Sequence, residues 1–136
     1  YNLFESNVIQ EIDVADYWGP CGPGNTFFRN RVEAEGIEVM DYSHGQNALG
    51  NELTTDPNVV SEDNTVNDTY AHGNYENGAL SWDPAVSEHT LPPSLYLLTK
   101  PTFFGSLAWP ILGGDLREAG TSGTLPAEQR YLNAGP

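Results

Sequence analysis

Basic residues are what this chain has least of. Lys plus Arg comes to 5 against 19 Asp plus Glu in 136 residues, a net charge of −14. Nothing in that composition neutralises a row of phosphates, so nucleic acid and acidic lipid surfaces are excluded as direct partners. Cysteine is nearly absent as well. Cys21 stands alone, so neither an internal disulfide nor a CxxC metal site forms. Between Pro20 and Gly22 it reads as a small turn residue. No run of about 18 apolar residues occurs, so no helical membrane span is expected. A basic n-region and a signal-like apolar stretch are also missing. The chain opens on Tyr1-Asn2-Leu3-Phe4, already the pattern of structured sequence, and processing or truncation is expected to have removed what came before.

What is present points to a folded chain of short elements. Aromatics make up 11% of the residues, more than an acidic disordered tail carries. Gly 14 and Pro 10 supply many turns. The size fits one ordinary domain or a piece of a larger one. The acids are unevenly placed. Residues 1–83 hold 15 acids and 2 bases, whereas residues 84–136 hold 4 and 3. Asn follows the same division, with 11 of 12 before position 84. A boundary near Pro84 separates two regions, 1–83 and 84–136.

The first region repeats. Asn2-Leu3-Phe4-Glu5-Ser6-Asn7-Val8 matches Asn25-Thr26-Phe27-Phe28-Arg29-Asn30-Arg31-Val32. Gln46-Asn47-Ala48-Leu49-Gly50-Asn51-Glu52-Leu53 fits the same frame, and Thr69-Tyr70-Ala71-His72-Gly73-Asn74-Tyr75 is a weaker copy. Ile12-Asp13-Val14-Ala15-Asp16-Tyr17 matches Ile37-Glu38-Val39-Met40-Asp41-Tyr42 as a second, independent motif. A period of roughly 20–25 residues is solenoid-like. The alternation of Ile12 with Val14 and of Ile37 with Val39 is strand patterning. Helical repeats do not fit in so short a period, and the LxxLxL core of leucine-rich repeats is absent. The expected fold is therefore all-β: a right-handed parallel β-helix of about four coils over 1–83, closed by an irregular C-terminal cap over 84–136. Recurrent Asn at a corner would stack about 4.8 Å apart. An amide carries both donors and an acceptor, so such a ladder satisfies itself and nearby backbone.

NLFESNVI, YWGPCGPGNTFFRNRV and QNALGNEL resemble the last coils of secreted bacterial right-handed parallel β-helix proteins of the pectate-lyase-like superfamily. The tail is similar to their C-terminal extension in Leu91-Pro92-Pro93-Ser94-Leu95-Tyr96-Leu97, Lys100-Pro101-Thr102-Phe103-Phe104-Gly105, Trp109-Pro110, and Leu125-Pro126-Ala127-Glu128-Gln129-Arg130-Tyr131. The resemblance implies an extracellular protein and is compatible with Ca²⁺, which pectate-type lyases use to hold an acidic sugar. It carries over no catalytic residue, because the family's catalytic positions lie on central coils.

Candidate sites follow from the repeat. Asp16 and Asp41 occupy equivalent positions, as do Asp13 and Glu38, and Asp63 and Asp83 extend the first column. Stacked carboxylates repel unless solvated or bridged, and oxygen-only sites suit Ca²⁺. The alternative is that these acids serve turns and face water, as Glu33 and Glu35 do. Tyr17, Trp18 and Tyr42 are candidates for a sugar platform, against the alternative that they pack on the flank. Arg29 and Arg31 read as surface residues. His44 and His72 lack a third nitrogen or sulfur ligand for zinc. Asn67-Asp68-Thr69 is a glycosylation sequon. Thr124 is a candidate N-cap for a helix with Pro126 in its first turn. The tail holds enough apolar surface to cover one end of the repeat, while Tyr1 enters directly into a copy, leaving the other end raw.

Two functions are expected. One is an extracellular structural or adhesive protein, secreted or on the cell surface, assembling into a fibre through its uncapped N-terminal edge. The other is the C-terminal fragment of a polysaccharide lyase or glycoside hydrolase whose catalytic coils lie upstream. The partners expected are a further copy or upstream coils of the same protein, and polysaccharide.

Overall fold

The computed structural model describes residues 1–15, 17–40, 42–54, 60–62 and 68–135. Its strands are β1 (Leu3–Glu5), β2 (Val8–Val14), β3 (Thr26–Phe28), β4 (Arg31–Val39), β5 (Asn47–Leu49), β6 (Glu52–Leu53), β7 (Val60–Glu62), β8 (Tyr70–His72), β9 (Asn74–Glu76) and β10 (Ala79–Ser81). Most come in pairs around one kind of corner. Its first residue has a positive φ: 58° at Ser6, 50° at Arg29, 62° at Gly50 and 67° at Gly73. An Asn follows each time, and the second strand then leaves in a new direction. Gly suits the left-handed conformation at two of these corners because it has no Cβ to clash.

Apart from β10, each strand pairs in parallel with its counterpart one repeat away. One sheet runs β1-β3-β5-β8 and the other β10-β9-β6-β4-β2, with β7 joined only to the end of β4. Phe4 stands beside Phe27, and Phe27 beside Ala48. Ile12-Asp13-Val14 stands beside Ile37-Glu38-Val39, as the second motif requires. The corner asparagines form the expected ladder. The backbone N–H and Nδ2 of Asn7 donate to Asn30 Oδ1, those of Asn30 to Asn51 Oδ1, and those of Asn51 to Asn74 Oδ1, at 2.9–3.1 Å. These links span 23, 21 and 23 residues. Between the sheets lie Val32, Ile37, Val39, Ala48 and Leu53, all essentially inaccessible to water.

The all-β expectation is corrected by the second region. It contains α1 (Gly114–Glu118), α2 (Pro126–Ala134) and a single 3-10 turn at Thr102–Phe104. The right-handed parallel β-helix of about four coils is corrected as well, because the two sheets stay open and no closed solenoid forms. Two local causes are visible. Asn77-Gly78, with φ of 51° and 79°, makes a tight hairpin that returns β10 antiparallel on β9, as Asn-Gly turns favour. Residues 19–24 hold Gly19, Pro20, Gly22, Pro23 and Gly24, poor strand formers that bring no further sheet to close the gap.

The second region does more than lie over the last strands. There α1 and Leu91 pack beside β10, and Gly114 N–H donates to Gly50 C=O at 2.8 Å. The rest runs along the flank back to the first repeat. There Leu95 N–H donates to Glu5 Oε2 at 2.9 Å, and Val8 packs against Phe104, Ile111 and Leu112. In α2 the cap position falls on Leu125, not Thr124. Pro126 occupies the first turn, and Glu128 Oε2 accepts the Leu125 N–H at 3.1 Å.

Candidate functional site

The two arginines are buried fasteners, not surface residues. The positive φ of Arg29 throws its side chain onto the flank, where it is 1% exposed. Its guanidinium donates to both Asp115 oxygens at 2.8 and 3.0 Å and to the carbonyls of Leu91, Pro92 and Leu112. Arg31 donates to Glu52 Oε2 at 3.0 Å, to Ser122 and to the Gly123 carbonyl. Glu52, fully buried, also accepts from Gly113 N–H and Ser122 Oγ. Guanidinium groups satisfy several acceptors in one plane. These two therefore bolt residues 84–136 to the repeat and are not free to hold a substrate.

The expected metal column falls only partly within the described residues. Asp16, Asp41 and Asp63 lie outside them, as does Asn67 of the sequon. Asp13 and Glu38 are cross-strand partners and both face solvent. Two carboxylates fall short of the six to eight oxygens that Ca²⁺ takes, and the described residues contain no group of three ligands. Asp83 serves a turn: its Oδ1 accepts from Ala85 N–H and its own N–H donates to His72 Nδ1.

The aromatic candidates are exposed, and flank packing does not occur. Trp18 is fully accessible, with Tyr17 and Tyr42 at 74% and 67%. Tyr17 and Tyr42 form no ring stack with each other, so they offer separate contacts instead of one platform. His44 faces Asp68 at 3.6 Å. The Asp68 carboxyl is held below its ordinary range, first by the Gly45 N–H and then by His44. Cys21 is half-buried, packed against the core with its thiol donating to the Ala15 carbonyl.

The most distinctive site is the end where the repeat begins. β1 and β2 terminate the two sheets on the same side, each with one unpaired edge. Between them is a pit of about 470 Å³ that reaches Phe4, Ile9, Ile12, Val14 and Phe27. Phe4 stacks on Phe27 at 5.4 Å but is 47% exposed on its other side. A second ladder, not expected from the sequence, ends here too. Asn2 donates to Asn25 Oδ1 and Asn25 to Gln46 Oε1. The sequence does carry a signal for it, because Asn2, Asn25 and Gln46 each stand five residues before a corner Asn. The rim is acidic. Repulsion from Glu35, then from Asp13 and Glu38, raises the Glu11 carboxyl above its ordinary range.

At the opposite end β8 and β10 terminate the two sheets, β10 covers the edge of β9, and Trp82 and Leu91 press on Gly73. His72 is buried under Trp82 and His89, which stack at 4.8 Å. Comparison with protein-family models, with curated proteins and with solved structures gave no match.

Proposed function

We propose that this chain is an extracellular structural or adhesive protein that assembles by adding strands at its N-terminal edge. One observation carries the reading: two parallel strand edges lie open side by side over an uncovered apolar pit. Exposed strand edges with apolar surface between them drive pairing with other chains. The high negative charge keeps the surface solvated while the edge stays apolar. Trp18 and Tyr17, held out in a turn, supply the adhesive contact: exposed aromatic faces suited to sugar rings.

Sedimentation velocity tests the edge. Over a range up to about 1 mM, where a weak contact of roughly 4 kcal/mol half-forms, the wild type associates and Phe4→Lys stays monomeric. A wild type that is strictly monomeric across that range overturns the reading. So does release of reducing or unsaturated ends from polysaccharide by the chain, which would put an enzyme in its place.

A further inference from the structure

We infer that residues 82–95 form a strap that the neutral ring of His72 latches at the far end of the repeat, and that acid releases it. The inference does not depend on the assembly reading. The strap lies along one column of the repeat. Glu5, Phe28, Leu49 and His72 stand side by side in the parallel register, each two residues before a corner Asn. Near the first repeat, Glu5 Oε2 accepts the Leu95 N–H. In the middle, Arg29 donates to the Leu91 and Pro92 carbonyls, and Leu91 packs over Gly50 and Gly73. At the far end the attachment is His72.

His72 holds the strap through both ring nitrogens. Asp83 N–H donates to Nδ1 at 3.1 Å, and Nε2 lies 3.1 Å from the Glu88 carbonyl. A backbone N–H only donates, so Nδ1 keeps its lone pair; a carbonyl only accepts, so Nε2 carries the proton. The two contacts together fix one tautomer of the uncharged ring. The residue is 6% exposed, with Trp82 edge-on at 4.7 Å and Tyr70 stacked at 5.9 Å. A proton added at Nδ1 sets two donors against each other at the Asp83 contact. Both would be buried without an acceptor, and lifting the strap is what relieves them.

The groups around the ring favour release once it is charged. Tyr70 faces it from β8, apolar Leu49 stands beside it on β5, and the strap brings Trp82, Asp83, Glu88 and His89. Both carboxylates are turned to their own segment, Asp83 Oδ1 to the Ala85 N–H and Glu88 Oε1 to Thr90. They reach a charged His72 only if the strap moves. His89 stacks on Trp82 with its ring 6.1 Å from His72, so a charge there adds repulsion. A guanidinium keeps its charge in acid. Arg29 therefore goes on pinning the middle of the strap, and release is confined to the end that covers Gly73 and carries Trp82.

Nuclear magnetic resonance on the full chain tests the latch. Ring nitrogen shifts report the protonation of His72, and amide hydrogen exchange, corrected for its intrinsic pH dependence, reports the strap. Between about pH 7.5 and about pH 5, protection of the Asp83 amide is expected to fall by about tenfold or more, in step with His72 protonation. The Asn51 and Gly114 amides, in the ladder and beyond the Arg29 pin, are expected to keep theirs. His72→Asn leaves a side-chain acceptor that cannot be charged; its Asp83 protection is expected not to change with pH, whether or not it holds the strap. His89→Gln is expected to keep the wild-type dependence. Asp83 protection that survives protonation of His72 overturns the inference, as does a pH dependence that persists in His72→Asn. Simultaneous loss at Gly114 also overturns it, because the whole second region would then be coming away.

Discussion

The two ends of the repeat are built from the same corner and finished differently. At the far end, Gly50 and Gly73 take the positive-φ position, and the flank presses directly on them: a Cβ on Gly50 would sit 2.7 Å from Leu91, and one on Gly73 2.6 Å from Trp82. At the open end the same position is Ser6, which lines a groove instead of a contact. Arg29, one corner below, shows what a long side chain does there: it reaches across and holds the flank. The corner thus sets the backbone turn everywhere, while its side chain decides whether the flank is packed, pinned or left open.

The largest break in this comparison removes the pin. Arg29→Met leaves Asp115 and three carbonyls without their donor; Asp115 is 32% exposed, so the loss falls at the low end for a buried pair, about 3 kcal/mol. Denaturant unfolding should register that loss, and limited proteolysis should cut residues 84–136 first. Gly73→Ala comes next. Steric clash with Trp82 adds to the cost of a Cβ at positive φ, for about 2–3 kcal/mol in the same assay. Ser6→Gly relieves the left-handed strain with nothing packed above it and should instead gain about 1 kcal/mol. Equal effects at the two corners would erase the distinction between the ends.

Much of the repeat is legible in the sequence, and the reasons are local. The Asn spacing and the two Ile-x-Val motifs are set by strand pairing, so they carry the register directly. The closing elements are harder to read. Arg29 looks like a surface residue because nothing near it in sequence is its partner; Asp115 lies 86 positions away. The expectation of a closed β-helix rests on a period that fixes pairing between neighbours but says nothing of how two sheets meet. Asn77-Gly78 is a hairpin signal that the repeat pattern overshadows. The second ladder through Asn2 stands out only once its partners are seen side by side, because Gln46 breaks the run of asparagines.

The asparagines give a smaller contrast. Asn51 is fully buried with partners on both sides, so Asn51→Ala strands Asn30 and the Phe27 carbonyl and costs about 2 kcal/mol. Asn7 is exposed and has its ladder partner on one side only, so Asn7→Ala costs about 0.5–1 kcal/mol. The difference between the two midpoints, measured under one condition, tests whether the ladder is held by its interior or uniformly along its length.

The smallest effect lies on the rim of the open end and depends on pH. Glu35 raises the Glu11 carboxyl above 4.5 by repulsion, so the folded chain keeps that proton to higher pH than the unfolded chain does. Stability from this group is therefore fully present below pH 4.5 and is lost as pH rises through the raised value. Asp68 acts in the opposite sense. Its carboxyl is lowered from 3.8 by the Gly45 N–H, so its contribution is present above 3.8 and lost as pH falls through the lowered value. Glu11→Gln removes the first dependence and leaves the second. The variant should melt slightly above the wild type at pH 7, and the two should converge below pH 4.5. Both groups are solvent-exposed, so the gap should shrink in high salt. A gap that persists in salt would mean that Glu11 acts through packing at the edge and not through charge.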